Sequence, residues 1–116
     1  MKLFESERKV MEVLWREGAI TAGEISKILA LEIGWNRNTT YTIINKCIAK
    51  GYISRGEKKF LCTPLISRED VKKEELSEIM EKYFDGSTVK LFSALAEISN
   101  KQEIKKMKKI IKNMDI

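Results

Sequence analysis

The stretch Trp35–Gly51 reads W-N-R-N-T-T-Y-T-I-I-N-K-C-I-A-K-G. Ile43, Ile44, Cys47 and Ile48 fall at helical spacing, which places them on one buried face of a helix. The opposite face and its borders carry Asn38, Thr39, Tyr41, Thr42, Asn45, Lys46 and Lys50, with Arg37 in the first turn. No acid occurs from Gly34 to Gly56. Asn36 suits the N-cap, because its side-chain oxygen can accept from an amide the first turn leaves unpaired. Gly51 suits the stop, where glycine takes a left-handed conformation without strain. An acid-free helix whose first turns are amide and hydroxyl offers what a DNA major groove requires. For this helix alone, an ordinary polar solvent face reads equally well, and the remainder of the chain decides between the two.

The charge is placed, not spread. From Gly34 to Thr63 there are six basic residues (Arg37, Lys46, Lys50, Arg55, Lys58, Lys59) against the single acid Glu57. That local excess equals the net charge of the whole chain, +5, so the rest balances to about zero. An excess confined to one segment is the footprint of a polyanion partner. A chain of 116 residues can bury one modest core, or a small domain plus an extension. Residues 1–9 are too charged for a signal core and no apolar run approaches membrane-spanning length, so a cytoplasmic protein without a membrane partner is expected. Cys47 and Cys62 are expected reduced, and with no histidine and no CxxC pair a zinc site is disfavoured, leaving no metal and no cofactor.

Upstream, Glu5 to Glu17 reads as a first helix with Val10, Val13 and Leu14 inward, Trp15 as an anchor, and Glu5 and Glu7 at the positive end of its dipole. Ala19-Ile20 is too short for more than an edge bridge. Thr21 opens a second helix through the capping box T-A-G-E, with Ala22, Ile25, Ile28 and Leu29 inward. Downstream the period changes. Tyr52–Arg55 and Lys59–Thr63 flank a Gly56-Glu57-Lys58 turn, a β-hairpin that Pro64 should end. Three helices and a hairpin, the third helix polar and basic, is the order of a winged helix-turn-helix.

The second half reads as three amphipathic helices. Leu76, Ile79, Met80, Tyr83 and Phe84 form one stripe ending near Asp85-Gly86. Ser87 caps a helix bearing Val89, Leu91, Phe92, Leu95 and Ile98, and Asn100 caps a last one bearing Ile104, Met107, Ile110 and Ile111 among six lysines. Helices of this length cannot cover one another's apolar faces, which predicts a homodimer interface, with packing onto the first half as the alternative. The predicted fold is therefore mainly α with a small β-hairpin: a winged helix-turn-helix over residues 1–66, then a three-helix dimerisation unit over residues 67–116.

The runs V-M-E-V-L-W at 10–15, T-A-G-E-I at 21–25, W-N-R-N-T-T-Y-T-I-I-N-K at 35–46, K-G-Y-I at 50–53 and T-P-L at 63–65 resemble the penicillinase-repressor family, as does F-D-G-S at 84–87. That family includes β-lactamase, methicillin-resistance and copper-transport repressors. The resemblance implies a homodimeric repressor on a two-fold symmetric operator in double-stranded DNA, acting on β-lactam resistance or related genes, with a sensor protease as a further partner. By position, Asn38, Thr39, Tyr41 and Thr42 would face bases, with Arg37, Asn45 and Lys46 near bases or phosphates. Thr21 and its amide would meet phosphate, and Lys58 and Lys59 would be the wing's backbone contacts. Three departures stand out. The hairpin turn is shorter than the family's usual wing, the segment Ser93-Ala94-Leu95 lacks the cleavage pattern of the β-lactamase branch, and the paired cysteines of the copper branch are absent.

Trp35, Trp15 and Cys47 read as packing residues, and Cys62 as structural. Tyr41, an aromatic on the outer side of the helix, needs a partner, with DNA the favoured one. Rival functions are a winged helix for protein contact alone, which predicts no basic excess, and a ligand- or metal-responsive repressor of the same fold. No Ser-His or Cys-His pair and no phosphate loop occur, so an enzyme is not expected.

Overall fold

A computed structural model describes residues 2–114 and places helix starts where capping side chains stand. The elements are α1 (Glu5–Glu17), β1 (Ile20–Thr21), α2 (Ala22–Ile33), α3 (Arg37–Ala49), β2 (Ile53–Arg55), β3 (Leu61–Pro64), α4 (Arg68–Tyr83), α5 (Thr88–Ile98) and α6 (Lys101–Lys112). The Thr39 amide donates to Asn36 Oδ1 at 2.8 Å, and the Glu24 amide to Thr21 Oγ1 at 3.2 Å. Ser67, Ser87 and Asn100 accept in the same way from Asp70, Lys90 and Glu103. Each such cap is worth about 1 kcal/mol and sets where its helix begins. Gly34 and Gly51, at φ 72° and 80°, carry the chain out of α2 and α3 through left-handed turns.

The chain divides into two compact units, Met1–Glu74 and Glu75–Ile116. In the first, α1, α2 and α3 enclose a core of Val10, Met11, Val13, Leu14, Ala22, Ile25, Leu29, Ile43, Ile44 and Cys47, closed by Tyr52, Ile53 and Cys62. Ile28, Ile48, Trp15 and Trp35 pack on its edge. The Trp15 indole N–H donates to Ile66 O at 2.9 Å, so this anchor is both apolar and hydrogen-bonded. Val71, in the second turn of α4, is buried, and Arg68 pairs with Glu12 at 3.3 Å.

The strands form one antiparallel sheet in the order β1-β3-β2, with Ile20 opposite Cys62 and Arg55 also opposite Cys62. Two details of the hairpin differ from the sequence expectation. Lys59 and Phe60 belong to the turn, not the second strand, and both are left-handed at φ 57° and 52°. The turn therefore runs Gly56–Phe60, longer than three residues, closed by Gly56 N donating to Leu61 O at 2.7 Å. Phe60 O in turn accepts from Ala22 N at 3.0 Å, which ties the turn to the start of α2. Pro64 lies inside β3, opposite Ile53. It is tolerated because β1 reaches only Leu61 and Cys62, leaving Pro64 a strand neighbour on one side.

The second unit is built from the end of α4 with α5 and α6. Neither α5 nor α6 contains a buried residue. Thr88, Val89, Phe92, Met107, Ile110, Ile111 and Met114 line an apolar groove of about 540 Å3 between them. No helix of the described residues is long and apolar enough to cross a membrane.

Candidate nucleic-acid interface

Helix α3 has two unlike sides. Thr40, Ile43, Ile44 and Cys47 are buried, while Arg37, Asn38, Thr39, Thr42, Asn45 and Lys46 are exposed together on the other side. Thr40 interrupts the apolar pattern yet lies in the core, its hydroxyl satisfied by Asn36 O at 3.2 Å. Thr42 Oγ1 donates to Asn38 O at 2.8 Å, which leaves its methyl and oxygen lone pairs outward. The side-chain amides of Asn38 and Asn45 bond to none of the described residues, so their donor–acceptor pairs are available to a base edge.

Tyr41 is half-buried and already has partners. Its ring meets Phe60 edge-on at 5.6 Å and 87°, and its hydroxyl accepts from Arg37 Nη2 at 2.9 Å. Thr21 is likewise engaged. Its hydroxyl donates to Glu24 Oε1 at 3.0 Å and its amide to the same oxygen at 3.3 Å. A phosphate at this helix start would compete with Glu24. Lys58 and Lys59 stand exposed at the tip of the turn. None of Arg37, Lys46, Arg55, Lys58 or Lys59 forms an ion pair with a described residue, so the face carries uncompensated positive charge.

Lys50 is the exception among the basic residues counted in the sequence. Its ammonium donates to Glu7 Oε1 at 2.9 Å, lies 2.8 Å from Oε2, and sits 4.2 Å from the Phe4 ring centre. Glu7 is 1% exposed, and its Oε1 also accepts from Phe4 N at 2.8 Å. Oε2 has no directional hydrogen bond, so the ion pair alone compensates it. The sequence places Glu7 at the positive end of the α1 dipole and gives no direct sign of its burial. The spacing Phe4–Glu7 was the available signal, since an acid at the third helical position reaches back to the cap amide.

The cysteines lie in the core beneath this face. Burial first, then the Glu7 charge, pushes the Cys47 thiol up to about 12, and burial pushes Cys62 up to about 11. Both are neutral at physiological pH and are poor nucleophiles and metal ligands.

Residues 3–113 match the penicillinase repressor family. The chain belongs to that family. Among solved structures it is similar to the DNA-binding domain of the repressor BlaI, at 28% identity and a TM-score of 0.55, over 60% of this chain and 87% of that one. It is also similar to Bacillus licheniformis BlaI, solved as a monomeric form in complex with the blaP half-operator. There the identity is 28% and the TM-score 0.52, over 60% of this chain and 88% of that one. No curated protein matches the chain significantly. This family member is thus a winged-helix repressor, with six helices and a three-stranded antiparallel sheet among the described residues; the sequence pattern predicts the helices and the hairpin, and β1 is the strand that adds to it.

Proposed function

We propose that the chain is a DNA-binding transcriptional repressor that acts in the cytoplasm as a homodimer on a two-fold symmetric operator. The observation carrying this reading is the exposed, acid-free side of α3, continuous with a basic turn and backed by a buried apolar side. In the reading, α3 enters the major groove and presents Asn38, Thr39, Tyr41 and Thr42 to bases, with Arg37, Asn45 and Lys46 at their margins. Asparagine suits adenine bidentately and a threonine methyl suits thymine. Lys58 and Lys59 bind the backbone from the wing, and Thr21 reaches a phosphate by turning its hydroxyl from Glu24.

The dimer is formed by residues 67–116. Its support is the set of exposed apolar side chains Leu76, Ile79, Tyr83, Val89, Phe92, Leu95, Ile110 and Ile111, together with half-buried Met80, Phe84, Leu91, Ile104 and Met107. Each large side chain removed from water there contributes about 1.5–3 kcal/mol. Genes of β-lactam resistance or a related function are the proposed targets, in keeping with the family. A sensor protease is the proposed releasing partner, and the stretch Ser93-Ala94-Leu95 lies mid-way along α5. Cleavage there requires the helix to open first.

Fluorescence anisotropy of a labelled duplex from the protein's own promoter, at several salt concentrations, tests the reading. Tight binding of two protomers per symmetric site above a weaker, salt-dependent background is the expected result. Absence of binding at low salt would hand the fold to a protein-contact role.

A further inference from the structure

Arg55 leaves β2 and lays its guanidinium over Phe60, with Cζ 3.7 Å from the ring centre. Phe60 meets Tyr41 edge-on at 5.6 Å, and Arg37 Cζ lies 4.7 Å from the Tyr41 ring centre while Nη2 bonds the Tyr41 hydroxyl. Four side chains thus form one continuous ladder, Arg37–Tyr41–Phe60–Arg55, from the first turn of α3 to the second strand of the sheet. Phe60 is held there against its backbone preference, at φ 52°, and its carbonyl is fastened to Ala22 N. A left-handed conformation at an aromatic residue persists only where the surroundings over-determine it. Here the two rings and the Ala22 bond do so.

We propose that Arg55 is a DNA-phosphate contact, and that the ladder aligns Arg37 and Arg55 as a pair of guanidinium clamps joining the recognition helix to the wing. The proposal rests on the DNA-binding reading above. A guanidinium stacked on a ring keeps its edge N–H groups open to a phosphate; Arg55 keeps all of them and Arg37 those other than the one bonded to Tyr41, and neither arginine has an acidic partner among the described residues. Stacking also removes rotamer freedom before DNA arrives, so less is lost on binding. Tyr41 and Phe60 are positioning residues in this scheme. The Tyr41 hydroxyl, an acceptor toward Arg37, keeps its own proton for a groove acceptor.

The test compares wild type, Arg55→Gln, Arg55→Lys, Phe60→Leu, Phe60→Tyr and the double variant Arg55→Lys/Phe60→Leu, on operator and scrambled duplexes across a salt series. Arg55→Gln should flatten the slope of log affinity against log salt by about 0.9 on both duplexes, the value of one phosphate. Arg55→Lys and Phe60→Leu should keep the wild-type slope but weaken binding by roughly fivefold, and the double variant should weaken it no further, since each breaks the same stack. Phe60→Tyr, which preserves the ring face, should bind as wild type. An unchanged slope in Arg55→Gln overturns the phosphate contact. Additive losses in the double variant, or wild-type affinity in Arg55→Lys, overturn the alignment. A wild-type protein that binds neither duplex overturns the DNA reading itself, which separates the two failures.

Discussion

Lys50 Nζ is held between the Glu7 carboxylate and the Phe4 ring, so its charge serves the junction of α1 and α3 and not the DNA face. Removing the lysine leaves a 1%-exposed carboxylate without its cation. Breaking a fully buried pair costs about 3–5 kcal/mol. The Lys50 side chain is 34% exposed, so the cost of Lys50→Met is expected nearer roughly 2 kcal/mol. Urea denaturation should show that loss, while the salt slope of DNA binding stays at the wild-type value. A slope flattened by about one phosphate would mean that Lys50 reaches DNA after all. Asn38 and Lys46 are expected to behave differently from it and from each other. Lys46→Ala should weaken binding equally on all sequences and reduce the slope. Asn38→Ala should lose about 1–3 kcal/mol of discrimination at particular base pairs. Equal losses on operator and random DNA for Asn38→Ala would remove it as a base reader.

At the scale of elements, α5 and α6 are helices whose apolar sides are only partly covered by the described residues of their own unit. Phe92 is 40% exposed and Ile110 59%, in a groove lined almost wholly by hydrocarbon and thioether. A charge placed there should cost little in the isolated chain and a great deal at an interface. Phe92→Asp is therefore expected to sediment as a monomer with the helix content of wild type, and to lose tight operator binding while keeping weak, salt-dependent affinity. A Phe92→Asp protein that still sediments as a dimer would exclude this groove from the interface. The wing shows the opposite economy. Its strands are short, and beyond the Gly56–Leu61 bond that closes it the turn is stabilised by Phe60 through contacts to two helices.

For the whole molecule, the buried thiols couple stability to pH. Cys47 and Cys62 titrate in the folded chain at about 12 and about 11, against 9.0 for the unhindered thiol. Tyr52 is also raised, chiefly by burial, and its hydroxyl donates to Lys2 O at 3.0 Å. Above pH 9 the unfolded chain loses these protons first and the folded chain retains them. Fewer protons on the unfolded state make stability fall as pH rises. Chemical denaturation should find stability flat on this account below pH 9 and declining from there toward pH 11. Cys47→Ala/Cys62→Ala should flatten most of that decline, whatever its effect on stability at neutral pH. An unaltered decline in the double variant would assign it to other groups.

The order of elements, the caps at Thr21, Asn36, Ser87 and Asn100, and the two-sided character of α3 were all legible in the chain itself. These depend on period and on bonds spanning three or four residues, which local sequence determines. The partnership of Glu7 with Lys50, the burial of Thr40, and the engagement of Tyr41 by Phe60 were not. Each joins residues distant in sequence, or hides a polar group behind a bond that only the finished packing reveals. The hairpin shows where the boundary falls. Alternation from Lys59 to Thr63 predicted a strand, and the Ala22–Phe60 bond with the Tyr41 contact pulled Lys59 and Phe60 into left-handed turn positions instead. Local preference chose the elements of this protein; contacts between α2, α3 and the wing chose the conformation that presents its basic face.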